Sequence, residues 1–252
     1  TRRTMTRPQS KGSPPASATN YSSRLSLALR ALQHRNFRLF FLGQFISLIG
    51  TWMQSVAQAW LVYRLTGSSL LLGSVGFAGQ IPVLLMAPIG GTVADRKNRH
   101  RIVILTQTSA MILAFVLSAL TLLNVVRVWQ IFVMASLLGL VNAFDIPARQ
   151  SFIVEMVGKE DMINAIALNS SMFNGARIVG PAMAGLLVAA IGEGWCFFIN
   201  GASYIAVIIG LFMMRLGPST RVRPSGSPLS NILEGFRFVR HTRPIRSLLI
   251  MI

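Results

Sequence analysis

Acidic residues are scarce in this sequence, seven against 24 Lys and Arg, and charge of either sign is missing from long stretches. A single cysteine, Cys196, excludes a disulfide framework and a Cys/His metal cluster. The three histidines, His34, His100 and His241, have no clustered acids or nucleophile beside them, which argues against an enzyme. No Gly-rich phosphate cradle is present, so direct use of ATP is not indicated, and no cofactor or metal is expected. Charged residues make up 12% and apolar residues 52%, too little charge for an ordinary soluble domain of this length.

The uncharged stretches have a definite length. Windows without charge run 39–63, 65–94, 102–126, 128–144 and 194–214, and a sixth, 162–192, is interrupted only by Arg177. A bilayer core about 30 Å thick requires roughly 20 apolar residues of helix. Six membrane-spanning helices follow, making this an all-α integral membrane protein over residues 36–215.

A net charge of +17 could indicate nucleic-acid binding, but the cations are sorted by loop. Eight precede the first span, four follow the second (Arg96, Lys97, Arg99, Arg101), two lie between the fourth and fifth (Arg149, Lys159), and seven follow the sixth. The alternate loops hold only Arg64 and Arg127, beside Glu193. The positive-inside rule then places both ends of the chain in the cytoplasm and makes the basicity a topology signal. The expected partner of that charge is the lipid bilayer, not nucleic acid.

Residues 1–35 carry Ser, Thr, Pro and Arg and read as a disordered basic cytoplasmic tail, without the apolar core of a signal peptide. Residues 216–246 read as a linker followed by an amphipathic surface helix, with Leu229, Ile232, Leu233, Phe236 and Val239 at helical spacing. Residues 247–252 open a further apolar run, which we read as the start of a seventh helix cut short.

Two polar stripes break the apolar pattern. Gln44, Ser47, Thr51, Gln54 and Gln58 are spaced 3, 4, 3 and 4 along the first span and share one face. Uncharged polar groups are costly in lipid, so this face is expected to meet a watery cavity or to hydrogen-bond between helices. Gln80, Asn142 and Asn200 are weaker, isolated candidates. The fifth span repeats the pattern with Ser170, Asn174, Arg177 and Pro181. Arg177 lies about 22 Å along its helix, too deep to reach the headgroups, and its burial costs about 2.5–3.5 kcal/mol on insertion scales. It therefore calls for a partner or a wet pathway.

The segment 91–101, containing Gly91, Asp95, Arg96, Arg99 and Arg101, is the most specific in the chain. An Asp among clustered cations at helix ends can form a charge network where helix termini meet. This run resembles the G-x-x-x-D-R-x-G-R-R loop between helices 2 and 3 of the major facilitator superfamily, with Asn98 at the second Gly and His100 at a basic position. A second run, Gly175 to Gly185 with Gly180 and Pro181, resembles the G-x-x-x-x-G-P-x-x-G-G helix-packing motif of exporters and antiporters in that superfamily, with Ala184 at one Gly. The stretches 144–150 and 164–170 are similar to the branch that includes the enterobactin exporter.

The resemblance implies the N-terminal half of a twelve-helix transporter, built from two inverted three-helix repeats and joined by a missing C-terminal six-helix half. It implies a small-molecule substrate near the midplane and alternating access, with export of siderophore- or drug-like molecules across a bacterial cytoplasmic membrane. A nutrient importer of the same fold and a non-transporting scaffold are the alternatives. The loop at 91–101 would act as a cytoplasmic gate, with Arg99 pairing an acid at the end of the fourth helix, for which Asp145 is the candidate. Protons are the coupling ion that the family implies. The first helix offers no titratable acid, so the coupling residue is expected in the missing half.

Overall fold

The computed structural model describes residues 30–215, which form six helices joined by short turns. In chain order they are α1 (Arg35–Thr66), α2 (Ser69–Arg96), α3 (Arg99–Leu122), α4 (Val128–Val157), α5 (Met162–Ile191) and α6 (Glu193–Phe212). All six are long and apolar enough to cross a membrane. The tail before residue 30, the linker and amphipathic helix expected at 216–246 and the seventh helix expected at 247–252 lie outside the described residues.

The turns are tighter than the charge pattern suggests. Gly67 closes α1 with φ 62°, where its N–H caps the Tyr63 carbonyl and the absent Cβ removes the strain. Gly192 alone separates α5 from α6, at φ 84°. Helix α4 runs on through Val157, so residues 149–157, expected in a connecting loop, are helical. The segment 91–101 is likewise almost all helix, with Gly91 and Asp95 inside α2 and only Lys97 and Asn98 between helices. Asn98 takes the place of a turn glycine at φ −70° and caps α3, its Oδ1 accepting from the Arg101 N–H at 3.2 Å.

The last residues of the stretch expected as a tail, 30–35, are ordered into the bundle. Arg30–Gln33 form a 3-10 turn with Ala31 fully buried, and Arg30 and His34 both reach Asp161 at the start of α5, at 3.1 and 2.8 Å. Asp161 gathers this turn because it is a nearly buried carboxylate facing two nitrogen bases.

Packing follows a single rule. The main pairs are α2 with α4, α1 with α5, α1 with α6, α3 with α4, and α3 with α6. Exchanging each helix for the one three places along maps this set onto itself. Three antiparallel spans per unit leave the second unit upside down, so the fold is two inverted three-helix repeats. The equivalent helices α2 and α5 are both peripheral. Their outer faces leave Leu70, Leu84, Ile163, Ile178 and Leu186 exposed at 74–79%, a surface suited to lipid and not to water.

Close approach depends on small residues. At the α2–α4 crossing, a Cβ on Gly139 would strike the Gly79 carbonyl, and one on Gly90 would strike the Ala143 carbonyl. At the equivalent α1–α5 crossing, a Cβ on Gly180 would lie 2.5 Å from Trp52 Cβ and 2.9 Å from the Ile49 carbonyl oxygen. Gly180 thus sits at a close approach of α1 and α5. Gly185 faces open space and Gly175 meets only Phe45 at 3.7 Å, so those two do not pack helices within this unit.

Two apolar clusters close the bundle lengthwise. One, at the end rich in Arg, gathers Phe37, Phe40, Phe152, Val207 and Leu211. The other, toward the far end, gathers Met53, Leu61, Ile131, Cys196 and Phe197. Near its rim Arg64 grips the nearly buried Glu193 with two bonds of 2.8 and 3.2 Å, joining α1 to α6. Between the clusters lies a polar layer.

Candidate functional site

Two adjoining spaces lie in the polar layer. The larger is a cleft of about 420 Å³ between α1, α2 and α4, large enough for a small organic molecule. Thr51, Gln54 and Gln58 line it from α1, Gln80 from α2, and Asn142 and Arg149 from α4; Trp52 and Phe173 add aromatic surface. The smaller is a chamber of about 50 Å³ between α1, α3, α4 and α6, lined by Gln44, Ser47, Thr106, Gln107, Asp145 and Tyr204 among others. Thr51, Asn142 and Arg149 border both spaces.

The α1 stripe therefore divides by depth. Gln44 and Ser47 are buried in the chamber, whereas Thr51 and Gln58 face the cleft. Gln54 touches the cleft, and its Oε1 accepts from Asn200 Nδ2 of α6 at 2.7 Å. Thr51 and Tyr204 share a hydrogen bond of 3.3 Å across the same two helices.

Asp145 is in the chamber, not at the gate. It is 3% exposed, its Oδ1 accepting from Thr106 Oγ1 at 2.7 Å and from Gln107 Nε2 at 3.0 Å. Its Oδ2 lies 3.3 Å from Arg149 Nε, one turn further along α4. The family resemblance implied an acid at the end of the fourth helix as the partner of Arg99, and Asp145 was the candidate for it. The extra helical turns of α4 carry another acid, Glu155, to that level instead. The i, i+4 spacing of Asp145 and Arg149 was the available signal for the pair that forms.

Arg99, the residue expected at the gate, has other partners. Its Nη1 donates to Glu155 Oε1 at 2.9 Å and to the Ser151 carbonyl at 3.4 Å, its Nε donates to the Ala94 carbonyl at 3.1 Å, and Asp95 lies 3.5 Å away. Helices α2 and α4 run parallel, so their carbonyl-rich C-terminal ends meet here, and one guanidinium at the start of α3 satisfies both. Arg96 lies on the exposed end of α2 and Arg101 on the exposed first turn of α3. Glu155→Gln should weaken this tie. A cysteine placed at Ser151 should then react several-fold faster with an impermeant maleimide. Equal rates in Glu155→Gln and the parent would remove Glu155 from the gate.

The α5 stripe remains outside the cleft. Ser170, Asn174 and Arg177 are on the exposed face of α5, and Asn174 Nδ2 donates to its own helix at the Ser170 carbonyl, 2.9 Å away. Arg177 has no acidic partner among the described residues. Its guanidinium sits 5.6 Å over the ring of Trp52, which itself lines the cleft, so the charge is at the cleft's lip. Phe173 packs edge-on against the same indole at 5.6 Å. Trp52, Thr106, Gln107, Arg149, Glu155 and Tyr204 are the residues that sequence reasoning missed.

A family model described as "transmembrane secretion effector" matches residues 26–251, nearly the whole chain. The chain belongs to this family of major facilitator superfamily transporters. Curated relatives agree with that placement. The staphyloferrin A transporter of Staphylococcus aureus is 28% identical over 85% of this chain and 55% of its own length. The multidrug efflux pump Tap of Mycolicibacterium fortuitum is 29% identical over 80% and 51%. The enterobactin exporter EntS of Shigella boydii is 26% identical over 82% and 49%. The chain spans about half the length of these relatives. The family is one of transporters and not of enzymes.

Proposed function

We propose that this six-helix unit forms one wall of a small-molecule exporter that works by alternating access, in exchange for protons. The observation that carries this reading is the cleft itself, an amide-lined space of about 420 Å³ with an arginine in its wall and a second arginine at its lip. Polar and aromatic groups set into an apolar cavity suit small amphipathic molecules of the siderophore or drug type. Relatives named for siderophore and drug transport support that class. Ser170, Asn174 and Arg177 are exposed on α5, whose Phe173 borders the cleft, and a second six-helix half facing this side would complete it.

The distribution of cations along the sequence, 21 in the terminal segments and alternate connections against two in the others, supports a bacterial cytoplasmic-membrane protein with both chain ends inside. The gate of Arg99 and Glu155 then closes the cytoplasmic side, and Arg64 with Glu193 the outer side.

Transport of ethidium by the complete native protein in proteoliposomes, driven by an imposed pH gradient, tests the reading. Wild type should exchange ethidium for protons, and Arg177→Leu should insert normally yet lose most of the rate. Full exchange by Arg177→Leu would remove Arg177 from the pathway. Uptake with the opposite response to the gradient would favour an importer.

A further inference from the structure

We propose that Asp145 is the residue that carries the coupled proton, and that the chamber around it is the wet site where the proton binds. The proposal rests on the exporter reading above and places the coupling residue within this chain, where the sequence alone pointed elsewhere.

Position singles out Asp145. Among the described residues the other acids are near the bundle's ends: Asp95, Glu155, Glu160 and Asp161 at the basic end and Glu193 at the far one. Asp145 alone lies between the two apolar clusters, roughly 18 Å along α4 from its end at Val157. Arg149, which borders the cleft, shares its second oxygen.

Hydrogen-bond capacity gives the second argument. An ionised carboxylate only accepts, and Thr106, Gln107 and Arg149 supply its donors. The same chamber nevertheless contains three buried side-chain oxygens without any partner: Gln44 Oε1, Ser47 Oγ and Gln107 Oε1. Unpaired acceptors at such depth are expensive. Water supplies the missing donors, and about 50 Å³ of chamber admits it. A protonated Asp145 supplies one more donor through such water, so the chamber can satisfy both charge states of the carboxyl. Fully dry or fully paired surroundings would not.

Electrostatics links the proton to the cargo. The titratable or charged groups facing Asp145 are Arg149 from its own helix and Tyr204 from α6; α1 and α3 present the neutral Gln44, Ser47, Thr51, Thr106 and Gln107. When Asp145 takes a proton from the chamber water, Arg149 loses its counter-charge and the cleft wall becomes one unit more positive. A cationic occupant is then repelled, so proton and cation exclude each other, which is the thermodynamic requirement for exchange.

Infrared difference spectroscopy of the complete native protein in lipid nanodiscs, titrated from alkaline to mildly acidic pH, tests the proposal without any substrate. A protonated-carboxyl carbonyl band should grow in wild type, disappear in Asp145→Asn and return at a shifted position in Asp145→Glu. The same growing band in Asp145→Asn, or none in wild type, overturns the proposal. In the ethidium assay Asp145→Asn should lose its response to the pH gradient. A gradient-driven Asp145→Asn would overturn the assignment and leave the exporter reading intact. The expected infrared result with no gradient-driven ethidium exchange in wild type would instead reject that reading.

Discussion

Replacing Arg149 by leucine is expected to destabilise the folded bundle by about 3–5 kcal/mol, the usual effect of removing one member of a buried ion pair. Asp145 is 3% exposed and would keep its bonds from Thr106 and Gln107, but its full countercharge would be gone. The converse change is milder, because Arg149 borders the cleft and retains access to water there. Asp145→Asn should therefore fold nearly normally. The double variant Asp145→Asn with Arg149→Leu removes both charges and should recover most of the loss. Denaturant titration of the four proteins in detergent measures this cycle. A double variant no more stable than Arg149→Leu would mean that Arg149 acts through packing and not through charge.

Gly139→Ala should be among the most damaging small substitutions in the unit, at or above the roughly 3 kcal/mol typical of a badly overpacked core. The new Cβ would collide with the Gly79 carbonyl, which is backbone and cannot rotate away, and Gly79 itself has no side chain left to remove. Helices α2 and α4 would have to separate, widening the wall of the cleft that both line. Gly73→Ala is the matched control, since nothing lies within 4 Å of a Cβ there. That change should be neutral or slightly stabilising through helix propensity. Thermal unfolding midpoints of the two variants in detergent compare them directly. Similar midpoints would show that the α2–α4 crossing tolerates separation.

These two outcomes depend on relations that the one-dimensional pattern conveys to different degrees. The six spans, their order and their alternating direction are legible in the charge-free windows, because lipid admits no unpaired backbone and few charges. Turn positions are legible at Gly67 and Gly192 for a local reason, the positive φ that each turn requires. The α1 stripe was legible too, since helical periodicity puts its members on one face whatever the neighbours are. Gln54 of that stripe both borders the cleft and bonds Asn200 of α6.

Charge partners on different helices were not legible. Asp145 and Glu155 are both acids on α4, ten positions apart, and only the helix's continuation to Val157 decides which of them reaches Arg99. The chamber draws on α1, α3, α4 and α6, which come together through the exchange symmetry of two repeats and not through adjacency in the chain. The α5 motif shows the same division: Gly180 sits at a close approach of α1 and α5, while Gly185 and Arg177 face away from this unit's core. Hydropathy fixes that a segment crosses the bilayer, because that energy depends on the sum of its residues. The rotation of each helix about its axis, and its offset in depth, come from side-chain and backbone contacts with its neighbours, and so only the assembled bundle decides them.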